Sequence, residues 1–341
     1  MNLIDQFLSI RKYTESICEP LQTEDYVVQP VEDVSPPKWH LGHTTWFFET
    51  FILKPHAANY REYNPEYNFV FNSYYETVGA RVIRTDRGNL SRPSVNEIYQ
   101  YRHYVDEAMT NFLSHSITEE ITELLILGFN HEQQHQELLL TDIKYILGNN
   151  PLFPVYSAEW KEHEEIKNQA NLITINEGIY EIGFNGEGFC FDNELNKHKV
   201  YLHDYQISIE PENNGTYLDF IKAGGYKNFN YWHAEGWDWV QKNGINAPMY
   251  WHEINGEWFN YTYAGLLPIN PAYPVTHISY YEAYAFASGE ACACQLNLSG
   301  RLRRSSLTGV KDGSGRKVHT SHIQVLVKRR GQSANTTVSS W

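Results

Sequence analysis

The segment Asn130-His-Glu-Gln-Gln-His-Gln-Glu137 places two histidines four residues apart inside the strongest helical pattern of the chain. Side chains four residues apart lie on one helix face, so both imidazoles can reach one ion without bending the backbone. Two imidazoles among apolar residues are costly unless a partner satisfies them, which favours a metal site. The pattern predicts that they point into a helical bundle, on a face shared by Leu124, Leu127, His131, Gln134, His135 and Leu138.

A third ligand is expected from the aromatic segment 39–49. His43 shares a predicted helix face with Trp39, Trp46 and Phe47, whereas His40 requires another partner. Three neutral imidazole nitrogens leave coordination positions open for water, substrate or oxygen. Because imidazole binds zinc, iron, copper and nickel, ligand chemistry alone leaves the metal open.

A zinc protease is the obvious alternative, since His-Glu-x-x-His is its helix signature and Glu132 would be the base. Such enzymes usually take a third ligand downstream, and here Gln136 and Glu137 lead directly into leucines. The sequence therefore disfavours this interpretation.

Three segments differ in character. Residues 1–165 show helical periodicity over 2–19, 37–55, 94–115 and 117–147, which predicts a four-helix bundle. Residues 172–288 alternate short apolar runs with Gly, Asn and Pro turns, which predicts an α+β domain. Strands are expected at 172–175, 179–182 and 199–202, and helices near 216–223 and 279–288. Residues 289–341 contain nine Lys and Arg against two acidic residues, a pattern typical of a disordered basic tail.

Composition bounds the class of protein. The 341 residues are 42% hydrophobic and 15% aromatic, which are globular values, and the net charge of −14 disfavours general nucleic-acid binding. No apolar run is long enough for a membrane span, and no export signal is recognised. The cysteines are therefore expected to be free thiols in a reducing cytoplasm; they are Cys18, Cys190, Cys292 and Cys294.

Four arginines lie within twelve residues of this acidic protein, at Arg81, Arg84, Arg87 and Arg92. A solvated charged loop is one interpretation. The planar guanidinium fork also binds carboxylates in a bidentate manner. Near a metal bundle, the loop suggests a small substrate that carries a carboxylate.

Together these segments resemble the sulfoxide synthases of ergothioneine biosynthesis, the EgtB family. The resemblance rests on long strings at 36–51 (PPKWHLGHTTWFFETF), 71–102 and 131–145 (HEQQHQELLLTDIKY), and continues through 177–198, 213–226 and 274–288. It implies a DinB-like four-helix bundle followed by a mixed domain related to the formylglycine-generating enzyme, with a C-type-lectin-like fold. Coverage is nearly continuous from residue 1 to residue 288.

The resemblance implies iron(II) held by His43, His131 and His135. A thiol, cysteine or γ-glutamylcysteine, would be joined with dioxygen to the imidazole of N-α-trimethylhistidine as a sulfoxide. By position, Arg84 and Arg87 would bind the carboxylate of the thiol substrate, although Arg81 and Arg84 have the same spacing. Gln134 would contact the histidine substrate.

After residue 288 the family pattern stops, and codon degeneracy suggests why. If the third base of each codon is read with the next two bases, residues 290–302 permit S-M-R-V-P-T-E-F-E-W-E-A. Residues 308–316 likewise permit W-G-K-R-W-E-W-T, and residues 317–325 permit S-A-Y-L-P-Y-P-G-F. Three family-like motifs in the correct order lead to the hypothesis that the chain from about residue 289 is read out of frame.

An out-of-frame end has consequences for activity. The second domain would be incomplete, and the tyrosine that the family supplies from its Y-x-P-Y-P-G-F stretch would be missing, so the catalytic residue is unknown. We expect iron binding with weak or absent synthase activity. Alternatives are a DinB-like metal-dependent thiol transferase, a related 5-histidylcysteine sulfoxide or selenoneine synthase, and a non-catalytic lectin-like module.

Overall fold

The structure is a computed structural model that describes residues 2–73, 79–160 and 172–289, with two further short strands at Ala293–Cys294 and Leu326–Lys328. It divides into two compact units. The first comprises Met1–Trp160 together with Thr262–Gly265, and the second comprises Lys161–Tyr261 and Leu266–Trp341. The predicted basic tail, 289–341, lies outside the described residues apart from Gly289 and those two strands, and its out-of-frame origin stays a hypothesis.

The first unit contains the four long helices that the periodicity predicts. They are α1 (Leu3–Cys18), α2 (Pro37–Phe48), α5 (Val95–Leu113) and α6 (Glu119–Gly148). Two short helices follow α2, namely α3 (Lys54–His56) and α4 (Tyr67–Phe71). Helix starts obey local chemistry, since Asn2, Ser94 and Thr118 each accept a first-turn backbone hydrogen bond. Among the described residues, no helix is both long and apolar enough to cross a membrane.

Helix α2 does not end at Phe48 but runs through a π-helical turn, Glu49–Leu53, into α3. The carboxylate of Glu49, 2% exposed, lies in this turn. It accepts hydrogen bonds from the hydroxyls of Tyr60 and Tyr101 at 2.6 Å and from the backbone N–H of Tyr63 at 2.9 Å. These are the partners that a charged residue on this apolar helix requires.

A buried ion network joins the long helices. Glu132 of α6 is fully buried, and its carboxylate accepts from Arg11 of α1 at 2.9 Å and from Arg102 of α5 at 2.6 Å. Thr14 donates to the same carboxylate at 2.6 Å, and Arg11 also donates to Thr45 of α2 at 2.8 Å. Burial alone would raise the pKa of Glu132, but the two guanidinium groups and the hydrogen bonds outweigh it and lower this pKa to about 2.

We expect Glu132→Gln to destabilise the bundle by about 3–5 kcal/mol at neutral pH, because two buried guanidinium groups lose their counter-charge. Urea denaturation followed by far-ultraviolet circular dichroism measures this. The carboxylate's contribution is complete above its ordinary pKa of 4.5 and is lost as the pH falls towards about 2. The variant should lack that part of the acid dependence. Glu137→Gln, an exposed acid on the same helix, is the matched control; equal stability of both variants would contradict the prediction.

The second unit has the predicted α+β character. Its strands are β1 (Leu172–Ile175), β2 (Gly178–Ile182), β3 (His198–Leu202), β4 (Tyr205–Ser208), β5 (Trp251–Ile254), β6 (Glu257–Thr262), β7 (Gly265–Pro268), β8 (Ala293–Cys294) and β9 (Leu326–Lys328). The sheets have the orders β1-β4-β9-β8, β2-β3 and β5-β6-β7. The helices are α7 (Asn214–Lys222), α8 (Ala234–Asn243) and α9 (Tyr280–Gly289).

All three predicted strands and both predicted helices of the second unit are confirmed. The strand β4, the helix α8, the sheet β5-β6-β7 and the short strands β8 and β9 are not predicted by the sequence. The core of this unit is strongly aromatic, which explains why its sequence shows little simple periodicity. A buried chain of polar groups crosses it, since Tyr226 donates to Glu282 at 2.6 Å and its hydroxyl lies 3.1 Å from that of Tyr217. The core cluster comprises Tyr217, Phe220, Tyr226, Trp232, Val240, Ala247, Trp251, Val275, Ala285 and Phe286.

Candidate metal centre

Helix α2 presents His43 to the bundle interior, and neighbouring groups fix the orientation of its imidazole ring. Gly42 lets the ring of Phe71 approach closely, because a Cβ at this glycine would lie 2.3 Å from the Phe71 ring. The carbonyl of Phe71 then lies 2.6 Å from Nδ1 of His43. A carbonyl only accepts, so Nδ1 of His43 carries the proton and Nε2 has a free lone pair.

Two indole rings enclose the His43 imidazole. Trp39 stacks on it with a centroid separation of 4.6 Å and an interplanar angle of 12°, and Trp46 stacks at 5.6 Å and 17°. His43 is 2% exposed as a result. This packing holds the ring plane and excludes water from its faces.

Helix α6 presents His131 and His135 towards the same point. One ring nitrogen from each of His43, His131 and His135 lies within 4.8 Å of the others, and Nε2 of His43 is 3.2 Å from Nε2 of His131. The structure therefore brings together the three histidines that the sequence analysis selected as metal ligands. Among the described residues, they are the single group whose ligand atoms converge in this way.

Electrostatics keep these imidazoles neutral. Burial lowers the pKa of His131 to about 4, against a smaller opposing effect of Glu132. Burial, followed by the neighbouring imidazoles, holds the pKa of His135 well below its usual range, and burial together with His131 does the same for His43. Neutral imidazoles expose lone pairs, which is the protonation state that metal binding requires.

The donor set fits a first-row divalent metal ion. Three neutral imidazoles from two helices form half of an octahedral shell or three corners of a tetrahedron, with positions left for other ligands. Nδ1 of His131 is buried without a hydrogen-bond partner among the described residues, so this ring is not committed to a protein hydrogen bond beyond its contact with His43. The chemistry suits iron(II) and does not select it over zinc.

The predicted buried face of α6 is wrong in detail. Leu127 and Leu138 are 37% and 44% exposed, and Gln134 is also exposed. The buried stripe instead includes Leu125, Phe129, Glu132, His135, Gln136 and Leu139. Two polar members of that stripe are satisfied inside the bundle, since Glu132 pairs with arginines and Gln136 donates to the carbonyl of Ile10 at 2.9 Å. A pattern based on apolar residues alone selected the neighbouring face.

The position of Glu132 also argues against the zinc protease alternative. Both of its carboxylate oxygens accept hydrogen bonds in the arginine network described above. Its low pKa and full burial leave it neither the basicity nor the access to water that a general base needs.

The three predicted substrate residues have different environments. Arg84 is exposed and donates to the carbonyl of Asp33, and Gln134 is exposed beside His135 on α6. Arg87 is 6% exposed; it donates to the hydroxyls of Ser35 and Ser73 at 2.8 and 3.1 Å, and its guanidinium lies 3.4 Å from the Trp39 ring centroid. Their role in substrate binding stays a prediction.

Two residues beside the centre were not selected from sequence. Nδ1 of His40 lies 2.8 Å from Nδ1 of His135, and Nε2 of His40 lies 2.9 Å from Oδ2 of Asp142. The sequence indicates only that His40 requires a partner. A signal was present, because Asp142 follows His135 by seven residues, which is two turns along the same helix face.

Two regions of the chain match known protein families. Residues 6–139 match the DinB superfamily, and residues 157–291 match the sulfatase-modifying factor enzyme 1-like domain. A curated relative named hercynine oxygenase, from Mycobacterium tuberculosis, is 29% identical over 159 residues, which are 47% of this chain and 37% of the relative.

Two further relatives carry the same name. That of Mycolicibacterium thermoresistibile is 24% identical over 258 residues, which are 75% of this chain and 55% of the relative. The relative from Mycolicibacterium smegmatis is 26% identical over 162 residues, which are 48% of this chain and 37% of the relative. The chain thus spans between 37% and 55% of the length of these relatives.

Proposed function

The chain belongs to the EgtB family of sulfoxide synthases, and on that premise we propose that its three histidines bind iron(II) for an oxygen-dependent joining of a thiol to N-α-trimethylhistidine. The observation that carries the proposal is the convergence of the ring nitrogens of His43, His131 and His135 within 4.8 Å. The relatives named hercynine oxygenase support it.

The proposed reaction needs no external reductant. The thiol loses its S–H hydrogen and the imidazole loses a C–H hydrogen, while one oxygen atom enters the sulfoxide and the other leaves as water. Dioxygen accepts the four electrons released as the C–S and S–O bonds form. Bound iron(II) would supply the one-electron chemistry with oxygen that amino-acid side chains lack.

The protein's own residues supply positioning. The Phe71 carbonyl and the two flanking indoles hold His43 in one orientation, and the neutral state of the imidazoles keeps their lone pairs available. This arrangement is built before any substrate enters, as a preorganised site requires. The proposed thiol is cysteine or γ-glutamylcysteine.

Substrate recognition is proposed for Arg84, Arg87 and Gln134. Arg84 and Gln134 are exposed, so a substrate can reach them without rearrangement of the bundle. Arg87 would have to exchange its hydrogen bonds to Ser35 and Ser73 for bonds to a carboxylate. Its guanidinium would keep its stacking contact with Trp39 during such an exchange.

A DinB-like thiol transferase is the second candidate, because all three histidines lie within the helical unit. Such an enzyme activates a thiolate with a divalent ion and consumes no oxygen. The matched sulfatase-modifying factor enzyme 1-like region argues against it, since a transferase of that kind does not require a second domain.

Oxygen uptake separates the candidates. In a chain with the reading frame restored after codon 288 and loaded with iron(II), we expect oxygen consumption only when both the thiol and N-α-trimethylhistidine are present, with one sulfoxide formed per oxygen. The present chain should show this activity weakly or not at all. An oxygen electrode combined with mass spectrometry measures both quantities, and the product mass distinguishes cysteine, γ-glutamylcysteine and selenium donors. Thiol transfer without oxygen uptake would favour the second candidate.

A further inference from the structure

A chain of hydrogen bonds leads from the candidate metal centre to a carboxylate on the same helix. Nδ1 of His135 lies 2.8 Å from Nδ1 of His40, and Nε2 of His40 lies 2.9 Å from Oδ2 of Asp142. His40 and Asp142 are 2% and 8% exposed, so solvent competes little for these bonds. His40 is not itself a member of the converging group.

The direction of each proton in this chain can be worked out from Asp142. Its Oδ2 also accepts the backbone N–H of Ser35 at 3.0 Å, so this oxygen acts as an acceptor. A carboxylate accepts and does not donate, so the proton in the bond to His40 belongs to Nε2 of His40. When the His40 imidazole carries this single proton, its other nitrogen, Nδ1, can only accept.

The consequence reaches the candidate ligand. Because Nδ1 of His40 accepts, Nδ1 of His135 must donate, and the proton of His135 is fixed there. Nε2 of His135 therefore has a free lone pair. With the opposite proton order, Nε2 of His135 would carry a hydrogen and could not bind a metal.

We propose that His40 and Asp142 are positioning residues that fix the proton of His135 on Nδ1 and so make its Nε2 a metal ligand. The inference rests on the metal site of the proposed function. Partners of this kind set the tautomer, orientation and basicity of metal-binding histidines. Here the carboxylate acts through an intervening imidazole, whereas the backbone carbonyl of Phe71 has the corresponding role for His43.

Nuclear magnetic resonance of the metal-free, full-length protein tests the proton order directly. With ¹⁵N-labelled histidine, the ring resonances report whether each imidazole carries its proton on Nδ1 or Nε2. The His135 signals are assigned by their loss in His135→Gln. We expect the Nδ1–H form for His135; the Nε2–H form would overturn the inference, and this measurement needs no change at His40.

Metal affinity provides the second arm. We expect His40→Phe to weaken binding of Co(II), used as an air-stable probe, by roughly 10- to 100-fold, the range for loss of such a partner. His103→Phe, the same change at an exposed histidine of α5, should leave affinity unchanged. A folded His40→Phe protein that binds Co(II) as tightly as the unmodified protein would overturn the inference.

The two arms also separate this inference from the proposed function. If the unmodified protein binds no Co(II), the metal site itself fails, whatever the variant does. If it binds Co(II) but His135 lacks the Nδ1–H form, the metal site stands and the positioning role fails. If His40→Phe does not fold, the resonance measurement alone decides.

Discussion

Replacing His131 by alanine should remove stoichiometric metal from the folded protein and with it any oxygen consumption. His131 is the best of the three histidines for this test, because Nδ1 of its ring has no hydrogen-bond partner among the described residues. His43 and His135 have further hydrogen bonds to Phe71 and His40, so their loss would disturb more of the bundle. The alanine variant therefore reports mainly on coordination.

The expected loss of affinity exceeds the roughly 100-fold upper range for a residue that only orients a ligand, because a ligand atom itself is removed. Metal content after gel filtration, measured by mass spectrometry with iron(II) loaded under anaerobic conditions, gives the stoichiometry. His115→Ala, which removes an exposed imidazole after α5, is the matched control. A folded His131→Ala protein that retains one iron per chain would show that this site is not the metal centre.

The sequence was most informative where chemistry and periodicity agreed. The four long helices begin and end close to their predicted positions, because capping residues such as Ser94 and Thr118 mark their starts. The pairing of His131 and His135 could also be predicted, since a four-residue spacing on a helix makes two imidazoles neighbours in any fold.

Other features depend on partners that are distant in the chain. The sequence suggests that Glu132 is an exposed or catalytic acid. It is buried, because Arg11 and Arg102 from two other helices supply its counter-charges. Because Glu132 is buried, the inward face of α6 differs from the predicted face, and Leu127 and Leu138 are partly exposed. No local pattern contains this information, since the pairing joins residues 121 positions apart.

The positioning of His43 and Arg87 shows the same limit. A glycine at residue 42 offers no chemical signal, but it allows the Phe71 ring, and hence its carbonyl, to reach His43. Arg87 is predicted to bind a substrate carboxylate, and its guanidinium packs on Trp39 with serine hydroxyls as partners. No local sequence pattern contains these contacts, because Trp39 and Ser35 precede Arg87 by about 50 residues.

The second large effect concerns the reading frame. We propose that residues from about 289 onward are out of frame, and we expect a chain with the frame restored after codon 288 to gain synthase activity. A general acid contributes roughly 10²- to 10⁴-fold to a rate, and the resemblance places such a tyrosine in the Y-x-P-Y-P-G-F stretch that the restored frame would encode. The activity ratio of the restored chain to the present chain should fall in that range or above it.

Three controls separate loss of the tyrosine from loss of the metal site. Both chains should bind one iron, because His43, His131 and His135 all precede residue 288 and converge within the helical unit. His131→Ala in the restored chain should abolish the gain, since activity without the metal site would contradict the proposed function. If residues 289–341 are out of frame, they contribute nothing to catalysis. A chain that ends at residue 288 should therefore bind iron and have the same low activity as the present chain. Robust sulfoxide formation by the present polypeptide, or coding DNA across codons 285–341 that lacks the alternative motifs, would disprove the hypothesis.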